Sequence, residues 1–395
     1  MKKVLFTLFI VAIAVSSLLV VGCQKQEQPA GQQQQETQAA GPDFKIGIVF
    51  DVGGRGDKSF NDSAYRGLIK IAEEYNGYIK DDPDNVNHGT KVEMKYLEPK
   101  QGGQDREQLL RVLAEDGYHL LYGVGFAFTD ALGRVSKDFP DTHFALIDGY
   151  IPDLTADSNV TCIAFKEHEG SFMVGALAGM WLADHASGQK LGFIGGMDIP
   201  LIHKFHGGFL AGAMYANPNL RPDGMIMGQY IGQDPTAFND PQKAEQIATN
   251  MYDQGAEIIY HAAGASGSGL FKAAYEADKW AIGVDSDQGL VYASSDSAEE
   301  RAIGEHIMTS MLKRVDNGVF LLAKDYIDNS GNVDGGYVNY GLAENGVGVA
   351  VNQYNQDLIA PYQDKLNQYK QEIIDGKISV PDSDTKIADW KKATF

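Results

Sequence analysis

From Pro42 onward, short apolar runs alternate with longer stretches of amphipathic character. The runs predict strands at Lys45–Phe50, Val92–Leu97, His119–Val124, His143–Asp148, Asn159–Phe165, Lys190–Gly195, Met225–Ile231, Glu257–Ala262 and Ala281–Asp285. Helices are predicted at Asp62–Tyr75, Gln104–Asp116, Thr129–Phe139, Glu167–Asp184, Lys204–Ala216, Gln242–Gln254 and Gly269–Ala277, with another at Ser297–Asp316 after the last regular strand. Such alternation implies an α/β protein whose parallel sheets carry helices on both faces. The length suits two doubly wound units, and Ile151–Ser158 breaks the pattern between two strands with no helix intervening.

Ahead of this body the pattern changes. Lys2 and Lys3 precede an apolar run from Val4 to Val21, closed by Val20-Val21-Gly22-Cys23. A small residue before a cysteine, with no stop-transfer charge cluster after it, predicts a signal peptide over 1–22 and lipidation of Cys23 rather than a spanning helix. From Gln24 to Pro42 no aliphatic residue is larger than Ala, so the segment has nothing to bury and predicts a tether. The body is thus expected outside the cytoplasm, leashed to a membrane by lipid.

Charge removes one class of partner. Lys and Arg total 33 against 53 Asp and Glu, a net charge of -20, and a surface that acidic repels nucleic acid. Cys23 and Cys162 are the two cysteines and make no disulfide framework; Cys162 sits in an alternating strand and is expected in the core.

Ligands of doubly wound sheets bind just beyond the carboxyl ends of strands. After Phe50 comes a Gly-rich loop, Asp51-Val52-Gly53-Gly54-Arg55-Gly56-Asp57, which leads through Lys58-Ser59 into Phe60-Asn61-Asp62. Asp57 stands where a phosphate loop needs Gly, and Phe128 stands where a dinucleotide fingerprint needs its third Gly, so no nucleotide cofactor is expected. Phe60 reads equally as a hydrophobic staple or a ligand platform. Asp130 favours a helix N-terminus, and Arg55-Gly56-Asp57 spells an adhesion tripeptide that recurs by chance. His203 and His206 are three apart, but too few further ligands accompany them to predict a metal. Gly264-Ala265-Ser266-Gly267-Ser268 misses the nucleophile elbow and reads as a loop presenting backbone N–H groups. Asp285 and Asp287 place two carboxylates at a strand end, able to grip vicinal hydroxyls or to act as an acid and base pair.

Together these segments resemble the basic membrane protein family of ABC-transporter substrate-binding lipoproteins, which includes the PnrA purine nucleoside receptors. The matching pieces are Phe50-Asp51 with Asp57 to Asp62, Gly125 to Asp130, Gly195 to Pro200 with Phe205, Ala262-Ala263-Gly264, Gly283 to Gln288, and Lys313. The resemblance implies a type I periplasmic-binding-protein fold with two lobes joined by three crossovers. The lobes are expected at 43–157 plus 288–320 and at 158–287 plus 321–395. It also implies a monomeric carrier without cofactor that hands a purine nucleoside to a membrane permease. Residue by residue, Phe60 and Phe205 would sandwich the purine, and Asn61 and Asp130 would read its polar edge. Asp51, Asp285 and Lys313 would hold the ribose, with Gly264 offering backbone.

The physical chemistry suits that set. Aromatic platforms stack on either face of a base, while carboxylates accept from adjacent hydroxyls and repel a phosphorylated sugar. Phe238 rivals Phe205 as the second ring, and Asn76–His88 reads as a surface insertion. Other readings of the same residues are a sugar or polyol receptor, a nucleoside-cleaving enzyme using the acidic pairs, and an adhesin displaying Arg55-Gly56-Asp57.

Overall fold

The computed structural model describes residues 41–394; the predicted signal peptide, Cys23 and the tether as far as Ala40 lie outside them. Strands are β1 (Phe44–Val49), β2 (Gly77–Ile79), β3 (Val92–Leu97), β4 (Leu120–Val124), β5 (His143–Ile147), β6 (Val160–Phe165) and β7 (Lys190–Met197). They continue as β8 (Ile226–Gly232), β9 (Ala256–Ala262), β10 (Trp280–Asp285), β11 (Ile307–Lys313), β12 (Gly336–Tyr340) and β13 (Val347–Val349). Two sheets result, ordered β12-β6-β5-β4-β1-β3-β2 and β13-β11-β10-β9-β7-β8. Central strands are apolar on both faces because helices cover both: Leu120, Leu121, Tyr122 and Val124 of β4 are all fully buried. Among the strand ladders of the described residues only β11–β13 is antiparallel.

The chain passes between the sheets three times, from β6 into helix Glu167–His185, from β11 into helix Val315–Asp328, and from β12 to β13. Helix Val315–Asp328 returns to pack on helix Phe60–Glu74 beside the first sheet.

Two expectations are corrected here. Ser297–Asp316 is not one helix: Ala298–Gly304 is helical, and Ile307–Lys313 is a strand between β10 and β13. Nearly every residue of β11 is buried, as in β4 and β5, but Thr309-Ser310 interrupt its apolar run, so the sequence does not mark it as a strand. The break at Ile151–Ser158 is not a lobe boundary either. β5 and β6 pair directly in parallel, Phe144 opposite Val160, with a helix-free connection inside the first sheet. Val160–Phe165 therefore belongs with the first sheet, and 288–313 with the second. The crossovers stand near Lys166, Arg314 and Gly341–Gly346, not at the expected edges.

The Asn76–His88 insertion forms β2 and a bridge from Tyr78 to Asn87. It buttresses the loop after β1: the Arg55 guanidinium lies 3.5 Å from the Tyr65 ring centroid and donates to Asp84 at 2.9 Å. With Arg55 held there and Asp57 buried, Arg55-Gly56-Asp57 is not presented as an adhesive tip. Among the described residues no helix is long and apolar enough to cross a membrane.

Candidate ligand-binding site

A cavity opens between the carboxyl ends of the two sheets, lined by residues from both. The first sheet contributes the loop after β1, the start of helix Phe60–Glu74, Gly125 and Phe126 after β4, and Asp148 after β5. From the second come helix Pro200–Ala216, Phe238, Ala262 to Ala265 after β9, Asp285 closing β10 and Lys313 closing β11.

Aromatic rings face the cavity from both sides. Phe60 comes from a helix beside the first sheet and Phe205 from a helix beside the second. Their centroids lie 5.3 and 5.4 Å from one atom, Lys313 Nζ. Phe238 lines the cavity too, meeting Phe126 edge-on at 6.2 Å, so Phe205 and Phe238 are both wall residues.

Polar groups gather at two ends. At one, Asp51 accepts from Arg106 and from the Val52 N–H at 2.8 Å. Asn61 accepts from the Asp51 N–H at 2.9 Å and donates to Asp57 at 3.0 Å. Asp57 also takes the backbone N–H groups of Ser59 and Asn61, which fastens the Gly-rich loop to the first turn of the helix. Burial pushes the Asp51 carboxyl up, against the pull of Arg106. A side chain at Gly125 would meet Asp51 Oδ2 at 2.4 Å, so glycine there lets the two segments approach.

At the other end Lys313, 1 % exposed, pairs with Asp148 and lies 3.0 Å from Glu167. Asp285 accepts the Ser59 hydroxyl at 2.6 Å. Burial opposes the lysine's charge, but Asp148, Glu167 and Asp285 outweigh it and hold the ammonium above its ordinary range. Burial lifts Asp148 to about 6, with Glu167 and Asp285 adding and Lys313 opposing; it lifts Asp285 as well. For Glu167, Lys313 and Lys204 more than reverse the effect of burial and bring the carboxyl down.

Of the eight expected ligand residues, Asp51, Phe60, Asn61, Phe205, Gly264, Asp285 and Lys313 line this one cavity. Asp130 does not: it is exposed in the first turn of helix Thr129–Asp138, where an acid suits the helix N-terminus, and Gly125 and Phe126 face the cavity from that segment. Asp51 lies with Arg106 and Asn61, whereas Asp285 lies with Lys313. Asp287 parts from Asp285, capping helix Gln288–Ala293 and accepting from Asn352. Ser266 is a buried structural hydroxyl that donates to Ala237 O at 2.8 Å. His203 and His206 bond Asp384, at 2.7 and 3.2 Å. Cys162 is a buried free thiol.

Sequence reasoning missed Asp148, Arg106 and Glu167. Asp148 ends a predicted strand, so the strand-end rule could have found it. Arg106 lies 55 residues from its partner Asp51, and nothing local announces the pairing.

Two parallel-rich sheets, three crossovers and a cleft furnished by strand ends from both define a type I periplasmic-binding-protein fold of the solute-binding class. Residues 44–384 match the family model described as ABC transporter substrate-binding protein PnrA-like. The chain belongs to this Bmp family, whose members bind a solute and work with a membrane permease rather than as enzymes. It is 33% identical to a CD4+ T-cell-stimulating antigen of Listeria innocua, over 97% of this chain and 99% of that one. It is 32% identical to the ABC transporter nucleoside-binding protein BmpA of Lactococcus lactis, over 94% and 97%. Relatives in three Pyrococcus species are named lipoproteins. A solved solute-binding protein of an ABC transporter system from Aeropyrum pernix matches with a TM-score of 0.71 at 28% identity, covering 88% and 98%.

Proposed function

We propose that this protein binds a purine nucleoside in the cleft and delivers it to an ABC permease, as a monomer held to the membrane by lipid on Cys23. The observation that carries the reading is the pairing of Phe60 and Phe205, from helices beside different sheets, around a floor of Lys313, Asp148 and Asp285. Flat rings suit a base, each worth about 1–3 kcal/mol in stacking. Buried acids suit hydroxyl donors and reject a phosphate. The name of the Lactococcus relative and the lipobox at Val20–Cys23 support the same reading. Asn61 and Asp51, at the Arg106 end, face the polar rim of the base; Asp285 and Lys313 face the sugar. Ligand contacts to both sheets favour closure of the lobes about the crossovers.

The test is calorimetric titration of refolded protein with inosine, guanosine and adenosine. Binding at micromolar concentrations is expected, and silence with all three at millimolar concentrations refutes the reading. A polyol receptor would instead respond to free sugars, and product analysis after long incubation separates a carrier, which returns its ligand uncleaved, from a hydrolase.

A further inference from the structure

Asp285 stands in a turn that few side chains adopt. The Ser286 N–H donates to Val284 O across it at 2.7 Å, and the φ of Asp285 is +64°. A backbone bond from residue i to i+2 about a left-handed centre is the strained kind of γ-turn, kept only where the surroundings hold it. Of the described residues with positive φ, Asp285 alone lies at the centre of such a bond.

What holds the turn is a buried side chain behind it. The β9–β10 ladder runs only as far as Ile282 opposite Tyr260, so the Val284 N–H beyond it needs another acceptor. Gln288, 1 % exposed, supplies one, its Oε1 taking that N–H at 2.8 Å. The same oxygen lies 3.0 Å from Nε2 of His261, a fully buried residue of β9. The Gln288 backbone N–H reaches Ser286 O at 2.8 Å and Ser310 Oγ on β11 at 3.1 Å. One residue thus ties together the ends of β9, β10 and β11.

The bonding also places a proton. A backbone N–H can only donate, so Oε1 is the acceptor at that point and His261 donates to it from Nε2. Burial holds the imidazole down to about 4, which the Gln288 bond only partly offsets, and Nδ1 has no partner. The ring is therefore neutral, with its one proton at Nε2. Two glycines leave room for this arrangement: a Cβ at Gly283 would meet Gln288 Oε1 at 2.7 Å, and one at Gly267 would run into the His261 ring.

We propose that Gln288, oriented by His261, is the positioning residue that holds Asp285 toward the cleft and so sets the affinity for the hydroxyls of the ligand. This rests on the nucleoside reading. Asp285 lines the cavity and neither Gln288 nor His261 does, so both act through it. The turn bears on the meeting of the halves as well, since Ser59 donates to Asp285 and its carbonyl accepts from Ser286 Oγ at 2.7 Å.

The test compares inosine with its 2′,3′-dideoxy analogue in calorimetric titrations of the wild type, Gln288→Met, His261→Phe and His261→Gln. Gln288→Met is expected to weaken inosine by about 10-fold and the analogue by less than about twofold, because the analogue lacks the hydroxyls that Asp285 receives. His261→Phe should show the same split at about 5-fold, and His261→Gln, whose amide restores an N–H donor, should recover most of it. Equal losses for the two ligands, no loss in Gln288→Met, or no recovery in His261→Gln overturns the assignment. If Gln288→Met does not fold, the two His261 variants decide on the same terms. Where even the wild type ignores the analogue, loss of inosine affinity in His261→Phe with its return in His261→Gln supports the assignment, and any other pattern overturns it. Wild-type protein silent to inosine sinks the nucleoside reading and this inference together, whereas inosine bound alike by all four proteins sinks only the positioning role.

Discussion

At the Asp51 end of the cleft every polar group described comes from the first sheet and its loops, whereas at the Lys313 end groups from both sheets meet beside two of the crossovers. Asp51, Asn61, Asp57 and Arg106 are bonded to one another within one half of the molecule. That end is organised whatever the other half does. Lys313 and Asp285 come from the second sheet, Asp148 from the first, and Glu167 from the passage between them. Ser59 and Arg66, from the first half, reach Asp285 and Ser286 of the second at 2.6 Å each. Recognition at this end is therefore coupled to how the halves meet, and recognition at the other is not.

Removing the cation breaks the comparison most severely. Lys313→Met leaves Asp148 and Asp285 buried without their lysine and Glu167 with Lys204 alone, and should cost about 3–5 kcal/mol of stability in urea unfolding. Arg106→Met, which frees only Asp51, should cost about 2 kcal/mol; equal costs would erase the distinction between the ends.

Acid titration comes next. The Asp148 carboxyl titrates near 6 in the folded protein and near its ordinary value of about 4 when unfolded. The folded state holds the proton more tightly between those values, so this group's contribution to stability rises as pH falls from 6 to 4. Asp384 acts in the opposite sense: His203 and His206 overcome its burial and bring it down to about 2, so its contribution is lost below about 4. Urea midpoints of wild type and Asp148→Asn at pH 7 and 5 check this; a wild-type gain no larger than the variant's contradicts it.

Phe60→Ala should lower affinity for a nucleoside by about 1–3 kcal/mol. Unchanged affinity would take the ring out of the site. Smallest of all is Asp130→Asn, expected within about 0.5 kcal/mol in both stability and binding, since the residue is exposed and away from the cavity.

Legibility in the sequence followed the same division. Of the strands up to β10 all but β2 were readable, because turn residues bound each apolar run; β2 is three residues long and lies within the Asn76–His88 stretch. β11 was not readable, because Thr309-Ser310 split its apolar run, and one lobe boundary slipped with it; the other slipped at the helix-free passage from β5 to β6. Residues near a Gly-rich loop, such as Phe60 and Asn61, were visible as candidates. Arg106 and Glu167 were not, because each is made functional by a partner far along the chain. Asp130 misled because an acid at a helix start looks alike whether it faces a ligand or water.

The His203–Asp384–His206 bonding has a consequence beyond the cavity. Helix Pro200–Ala216 carries Phe205 on one side and, through these histidines, the chain's closing segment on another. A side chain at Gly207 would strike the Ser383 backbone at 2.3 Å, so that strap lies flat against the helix. A chain shortened to end at Pro381 would keep every wall of the chamber yet lose the buckle behind one of its rings. Furniture and carpentry are separate inheritances here, and the tail belongs to the carpentry.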